Sequence, residues 1–163
     1  MIDWSRIPNF SPEEFTENPN KYAEPDLIYN IQKTRSLFNK PIFPSPVDGA
    51  LARTYGSQDS QHYIGSFIKP ERLSTALDWF CPSISGHKVF WILYGSCLWT
   101  GIGVYFNGRW GGSPCLRYHT DIRPEQFQDR LPLIWYKYRN KTKYPQLSIS
   151  AYHEFFNLLN QER

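Results

Sequence analysis

The stretch that decides the fold is YHTDIR, residues 118–123. Within it, His119 and Asp121 are separated by a single residue. Successive side chains of a β-strand point to opposite faces, so on a strand these two side chains lie on the same face. We therefore predict a strand over residues 116–123 that carries a histidine and a carboxylate side by side.

The residues before this strand predict its partner. Residues 101–106, GIGVYF, have the composition of a strand, and residues 107–114, NGRWGGSP, have that of a flexible turn. The two strands are therefore expected to form a hairpin.

Two other segments each supply a residue that binds metal ions well. His62 follows a turn rich in glycine, serine and aspartate, from which a side chain can reach inward. Asp78 lies in a short apolar run, residues 74–80, and a carboxylate buried there needs a partner or a metal ion. Such residues are weak evidence one by one, because a single histidine is more often structural or surface-exposed.

Taken together, His62, Asp78 and His119 predict a zinc site. Zinc binds imidazole nitrogen and carboxylate oxygen readily, and a catalytic zinc keeps three protein ligands while a fourth position stays open for water. The mixed set of ligands favours zinc over calcium or magnesium, which prefer shells made of oxygen alone.

The rest of the sequence predicts an α+β domain in which helices flank an antiparallel sheet. The clearest helix spans residues 25–39 and begins at Pro25, while Ser148 or Ser150 caps the last helix. The other predicted elements are an edge strand over 41–46, a helix over 87–98, a strand over 133–138 and a basic turn over 140–144.

The length of 163 residues suits one domain over residues 1–163, with a motif-bearing core at about 25–125 and a C-terminal strand and helix over 131–161. The formal net charge of +3 is too small to indicate nucleic-acid binding. No apolar stretch approaches the length of a membrane span, and the N-terminal residues lack the basic and apolar regions of a secretory signal. We expect a monomer that is made in the cytoplasm and does not insert into a membrane.

Several short motifs follow one another in a fixed order along the chain. They are Gly49-Ala50-x-x-Arg53, Ser60-x-His62, Ala76-x-Asp78, Gly101-Ile102-Gly103-Val104-Tyr105 and His119-x-Asp121-x-Arg123. Together they resemble the zinc D-Ala-D-Ala carboxypeptidase and L-alanyl-D-glutamate peptidase family, which shares its fold with the hedgehog signalling domain. More narrowly, they resemble a phage and prophage branch of that family. The resemblance covers roughly residues 40–123 and fades after Pro124.

The resemblance implies a fold and a set of roles. The implied fold is of the hedgehog/DD-peptidase type, with His62, Asp78 and His119 as zinc ligands. In the family, an arginine at the place of Arg53 lies near the zinc and helps to hold the substrate or the developing oxyanion. A guanidinium suits that task because it presents several fixed donors and stays charged. Ser60 is implied to contact the substrate.

The implied function is that of a zinc-dependent metallopeptidase acting on peptidoglycan peptides, of the D,D-carboxypeptidase or endopeptidase type. In the phage and prophage branch this is a cell-wall-degrading, endolysin-like protein. The implied cofactor is Zn²⁺, the implied partner is the peptide of the cell wall, and the implied place of action is the cell wall or a virion.

The spacing between the first two ligands departs from the family's pattern. Residues 66–73 stand between the Gly65 of the first motif and the segment that carries Asp78. We expect these extra residues to form a loop at the mouth of the site.

The general base that a zinc peptidase needs is not where the family has it, shortly before the last histidine. A carboxylate must take the proton of the attacking water and pass it to the leaving amine, yet residues 114–118, PCLRY, contain none. Asp121 is the nearest acid, and it can be this base or a partner that orients a histidine ligand. Asp59 is a weaker candidate. The alternative hypothesis is therefore a catalytically inactive family member that serves as a cell-wall-binding or virion structural protein.

Overall fold

A mixed β-sheet forms the centre of the structure, a computed structural model that describes residues 1–123 and 132–161. Within these residues the sheet has six strands in the order β1-β2-β6-β3-β7-β8, and β4 and β5 form a separate ribbon. The strands are β1 (Phe43–Pro44), β2 (Ala76–Phe80), β3 (Gly101–Tyr105), β4 (Arg109–Trp110), β5 (Ser113–Pro114), β6 (Arg117–Asp121), β7 (Leu133–Tyr138) and β8 (Lys141–Lys143). The α+β class is thereby confirmed.

The prediction of an antiparallel sheet is wrong at one pair of strands. β6 runs antiparallel to both β2 and β3, as the predicted hairpin requires, but β7 runs parallel to β3. The reason lies in the order of the strands. Both sides of β6 are occupied by β2 and β3, so the returning chain joins the sheet on the far side of β3, where it points in the same direction as β3.

Helices pack against this sheet and close its core. They are α1 (Pro19–Tyr22), α2 (Pro25–Phe38), α3 (Gly86–Ser96) and α4 (Ile149–Gln161), with short 3₁₀ turns at Trp4–Arg6, Pro12–Glu14 and Pro145–Leu147. The helices predicted over 25–39 and 87–98 are confirmed, with ends that shift by one or two residues. Ser148 caps α4, because its Oγ accepts a hydrogen bond of 3.2 Å from the backbone N–H of Ala151.

The predicted basic turn is shorter than expected. Arg139 and Asn140 have φ angles of 48° and 62°, and they join β7 to β8 as a two-residue hairpin loop. Positive φ at both central residues is what a tight hairpin turn requires, and asparagine tolerates it well. Residues 141–143 therefore pair with β7 as a strand instead of belonging to the turn.

One face of the sheet carries the core. The Trp79 ring stacks on Tyr118 with 4.8 Å between centroids, and its indole N–H donates to Thr120 Oγ1 at 3.0 Å. Phe38 of α2 packs on the same tryptophan. The buried hydrophobic side chains form one cluster that includes both Ile2 and Leu159. Because strand side chains alternate, the residues between these core positions lie on the opposite face of the sheet.

In the part of the chain that the structure describes, no helix combines the length and the apolar character needed to cross a bilayer.

Candidate metal centre

The register of the central strands places the predicted site residues in a row across the sheet. Asp78 of β2 lies opposite His119 of β6, His119 lies opposite Gly103 of β3, and Gly103 lies opposite Trp135 of β7. We call these four positions the ligand row. Each of them is on the face of the sheet opposite to the core. The side chains of Asp78 and His119 are therefore neighbours in space although they are far apart in the sequence.

His62 reaches this row from a loop that backbone hydrogen bonds hold in place. Arg53 N–H donates to the carbonyl of His62 at 2.8 Å, and Ile64 N–H donates to the carbonyl of Arg53 at 3.0 Å. The imidazole Nδ1–H donates to the carbonyl of Leu51 at 3.3 Å. This bond fixes the orientation of the ring, and Nε2 consequently faces the ligand row.

The atoms His62 Nε2, Asp78 Oδ1 and His119 Nδ1 form a triangle with the dimensions of a metal site. The two nitrogens are 3.0 Å apart, His119 Nδ1 is 3.1 Å from Asp78 Oδ1, and His62 Nε2 is 3.5 Å from the same oxygen. In a tetrahedral zinc site with bonds of about 2.0–2.1 Å, neighbouring ligand atoms are about 3.3–3.4 Å apart. All three residues are buried, and together they could hold a metal ion.

Asp121 stands behind His119, on the side away from the triangle. His119 Nε2–H donates to Asp121 Oδ2 at 3.0 Å, and Arg123 Nε–H donates to Asp121 Oδ1 at 2.8 Å. Arg123 also forms an ion pair with Oδ2, and the carboxylate is fully buried. A carboxylate in this position orients a histidine ligand and sets its tautomer, which leaves Nδ1 free to bind a metal. Of the two roles that the sequence leaves open for Asp121, the geometry therefore favours the orienting one.

Two glycines of β3 make room for this arrangement. A Cβ atom built on Gly101 would come within 2.3 Å of the Asp121 carboxylate, and one built on Gly103 would come within 2.2 Å of the Trp135 indole. The indole in turn packs against His119, with 5.2 Å between the ring centroids. The packing thus explains why the GIGVY segment has glycine at these two positions. The absence of side chains there lets the Asp121 carboxylate and the Trp135 indole, which both contact His119, lie close to strand β3.

Charge on the histidines stabilises the buried carboxylates. Burial alone would raise the pKa of Asp78, but the charge of His62 and hydrogen bonds from His119 and His62 hold this pKa well below its usual range. Burial also opposes the charged form of His119, yet hydrogen bonds to Asp121 and Asp78 outweigh it and raise the pKa of His119 to about 9. A positive charge between the two carboxylates is therefore favourable, and a metal cation can supply it in place of the proton.

A cavity of about 490 Å³ opens in front of the triangle. Arg53 and Ser60 both line it, and Arg53 Nη2–H donates to Ser60 Oγ at 2.6 Å. Arg53 Nε is buried and has no hydrogen-bond partner among the described residues. Asp59 is the one carboxylate among the described residues that line the cavity. The arginine thus has an unused donor beside the cavity.

The inserted residues 66–73 are all described, and none of them lines this cavity. Arg72 instead ties down the loop that carries His62, because its guanidinium donates to the carbonyls of Tyr63 at 2.6 Å and Gln58 at 2.8 Å. The expectation of a loop at the mouth of the site therefore stays a prediction, and the contact that the structure shows for the insertion is its support of the loop that carries His62.

The structure brings all the predicted site residues into one place and adds others that the sequence reasoning missed. Tyr105, Trp135 and Lys137 also line the cavity or contact its walls. Tyr105 lies two residues after Gly103 on β3 and so faces the same side of the sheet. Trp135 lies opposite Gly103, and Lys137 lies two residues further along β7. Extending the strand alternation of the GIGVY segment would have found Tyr105, whereas the residues of β7 required the parallel pairing to be known.

Comparison of the chain with protein-family models, with curated proteins and with solved structures finds no match.

Proposed function

We propose that this chain is a zinc-dependent peptidase that acts on the peptides of peptidoglycan, of the endolysin-like type found in phages and prophages, with a hedgehog/DD-peptidase fold. The observation that carries the proposal is the buried triangle of His62, Asp78 and His119, whose sides of 3.0–3.5 Å suit tetrahedral zinc. The motifs that resemble the peptidase family are far apart in the sequence, and they converge on this triangle and its cavity.

Each residue around the triangle has a definite task in this proposal. A bound zinc ion would supply a Lewis acid and would lower the pKa of a water molecule in its open position. The Leu51 carbonyl and the Asp121 carboxylate orient the two histidines. Arg53, held by Ser60, directs its remaining donors toward the substrate, where a fixed positive charge stabilises the oxyanion that forms during hydrolysis.

A second candidate function is binding without turnover, as a cell-wall-binding or virion structural protein. It is favoured by the engagement of Asp121, whose two oxygens are taken up by His119 and Arg123. Among the described residues of the cavity wall, Asp59 is then the carboxylate left to serve as the base, and it is exposed. To act as the base, this carboxylate would have to come within hydrogen-bond reach of the water whose proton it takes.

Digestion of purified peptidoglycan in added zinc tests the first candidate against the second. The peptidase proposal predicts that the wild-type protein releases new amine ends and that H119A does not. The control is H153A, since His153 is exposed on α4 and lies outside the cavity lining. D59N is expected to lose activity while it keeps zinc if Asp59 is the base. Zinc-loaded wild-type protein that binds the wall and releases no amine ends would support the second candidate and reject the first.

A further inference from the structure

The backbone turn at residues 49–51 is anchored by a carboxylate from the N-terminal segment, which lies outside the motifs. Glu17 stands just before helix α1 and is half-buried. Its Oε1 accepts a hydrogen bond of 2.5 Å from the backbone N–H of Gly49, and its Oε2 accepts one of 3.1 Å from the N–H of Leu51. We call residues 49–51 the clamped turn. Glu17 has no role in the site as described so far.

The clamped turn is bonded to two of the three residues of the triangle. The carbonyl of Ala50 accepts a hydrogen bond of 2.8 Å from the backbone N–H of Asp78. The carbonyl of Leu51 accepts the bond of 3.3 Å from His62 Nδ1 that fixes the orientation of the imidazole. A displacement of this turn would therefore disturb the backbone at Asp78 and the ring of His62 together.

The negative charge of Glu17 strengthens these connections. Hydrogen bonds that a carboxylate accepts from backbone N–H groups are stronger than bonds between neutral groups. The N–H of Leu51 and the carbonyl of Ala50 belong to one peptide group, so the carboxylate also polarises the bond that this carbonyl accepts from Asp78. Within the described residues no lysine or arginine forms an ion pair with Glu17, and the clamped turn supplies the donors for both of its oxygens.

We propose that Glu17 is a positioning residue of the metal centre, because it holds the Leu51 carbonyl where that carbonyl turns His62 Nε2 toward the metal ion. This inference rests on the proposed function, whose zinc site it extends by a residue from outside the motifs. A carbonyl oxygen only accepts hydrogen bonds, so its position selects the ring orientation that presents Nδ1–H to it. When the carbonyl moves away, either ring nitrogen can face the metal ion.

Replacement of Glu17 with glutamine separates the clamp from the size of the side chain. The amide has one oxygen that accepts and one NH₂ group that donates. It can therefore hold only one of the two N–H groups of the clamped turn, and its own NH₂ group then faces the other. Because Leu51 is buried, an N–H that loses its partner there pushes the turn out of place.

The test compares E17Q with the wild type by zinc affinity and by the state of His62 in the zinc-loaded full chain. Competition with a chelator is expected to show about tenfold weaker zinc binding in E17Q, the lower end of the effect of groups that support a metal ligand. Nitrogen NMR shifts of the imidazole show which ring nitrogen binds zinc. The wild type is expected to use Nε2 of His62 alone, whereas E17Q is expected to show a second set of His62 signals.

The matched control is E13Q. Glu13 belongs to the same N-terminal segment and loses the same charge, but it is exposed and forms none of the described hydrogen bonds to the clamped turn. Its change should leave zinc affinity and the His62 signals as they are in the wild type. Urea unfolding of the metal-free protein is measured for both variants, because a purely structural role would lower stability without changing either readout.

A second variant, E17D, keeps the charge and is shorter by one methylene group, so it reaches only one of the two N–H groups. It is expected to weaken zinc binding in the same direction, and it carries the test if E17Q does not fold. Equal zinc affinity and equal His62 signals in E17Q and E13Q would overturn the proposal. Failure of both Glu17 variants to fold would assign the residue to the fold and would overturn it as well.

The two proposals fail in different ways. A protein whose zinc affinity depends on Glu17 but which never cleaves peptidoglycan keeps the positioning residue and loses the peptidase function. A protein that cleaves peptidoglycan, and whose E17Q variant matches E13Q, keeps the peptidase function and loses the positioning residue. A wild-type protein that binds no zinc loses both.

Discussion

Asp121 connects a histidine of the triangle to an arginine, and both of its oxygens are engaged. Burial would raise the pKa of Asp121, but hydrogen bonds from Arg123 and His119 hold it well below its usual range. A carboxylate held so firmly in its charged form is a poor acceptor for the proton of an attacking water. It is well suited to keep the His119 ring in one orientation.

Replacing Asp121 with asparagine is therefore expected to weaken zinc binding by about tenfold to a hundredfold, which is the usual effect of losing a carboxylate behind a histidine ligand. The amide carries no negative charge, so it no longer raises the basicity of the His119 nitrogen that would bind the zinc. Competition with a zinc chelator measures the affinity, and turnover is then measured with enough zinc to saturate the site.

The matched control for this change is D48N, because Asp48 is exposed and lies outside the cavity lining. If Asp121 were the general base instead, D121N would keep its zinc affinity and lose turnover even at saturating zinc. That result would contradict the orienting role.

At the scale of elements, the ligands were accessible to sequence reasoning because strand alternation is a local rule. Asp78 stands out as a charge in an apolar run, and the spacing of His119 and Asp121 gives their common face directly. The parallel pairing of β3 with β7 was not accessible, since it depends on which side of β6 is already occupied. Without that pairing, Trp135 and Lys137 could not be assigned to the site.

The strand β3 gives the sharpest test of the packing behind the centre. G103A places a methyl group where the Trp135 indole lies, and we expect it to cost about 1–3 kcal/mol in the free energy of unfolding, as overpacking of a filled space does. The displaced indole should also weaken zinc binding through its contact with His119. Urea unfolding measures the first effect and chelator competition the second.

G95A is the matched control, because a Cβ at Gly95 meets no atom within 4 Å and the residue lies inside helix α3. There alanine should stabilise the protein by up to about 1 kcal/mol. Equal effects of G103A and G95A would show that Trp135 does not need the space above Gly103.

At the scale of the whole molecule, the buried triangle makes the stability of the fold depend on pH and, in the proposed zinc-bound state, on zinc. The metal-free protein holds His119 with a pKa of about 9 against an ordinary value of 6.5, so the stability from this charge is fully present below pH 6.5 and is lost as pH rises through 9. The lowered pKa values of Asp78 and Asp121 act in the other direction, because their contribution is present above about pH 3.8 and is lost under acid conditions.

We therefore expect the chelator-treated protein to have its highest melting temperature between about pH 4 and 6.5 and to lose stability toward pH 9. In the proposed site zinc would displace the proton of His119, so the rise in melting temperature on adding zinc should grow over the same upper range. Thermal unfolding with and without zinc measures both trends. A zinc-induced rise that is the same at pH 6.5 and at pH 9 would contradict this coupling.

The overall shape was predictable in part. The ends of α2 and α3 follow from proline, glycine and apolar spacing, and the class follows from the mixture of helices and strands. The support of the His62 loop by Arg72 was not predictable, because it depends on guanidinium contacts with backbone carbonyls that carry no sequence signal. Because these contacts cannot be read from the sequence, the insertion was expected at the mouth of the site and its support of the His62 loop was missed.

The most direct test of the central claim is the zinc content of the purified, zinc-reconstituted protein and of its variants H62A, D78A, H119A and H153A. The buried triangle predicts about one zinc per chain in the wild type and in H153A, and little in each of the other three, because a site with two ligands left binds weakly. A wild-type protein that retains no zinc, or full zinc content in all three ligand variants, would contradict the assignment of the metal centre.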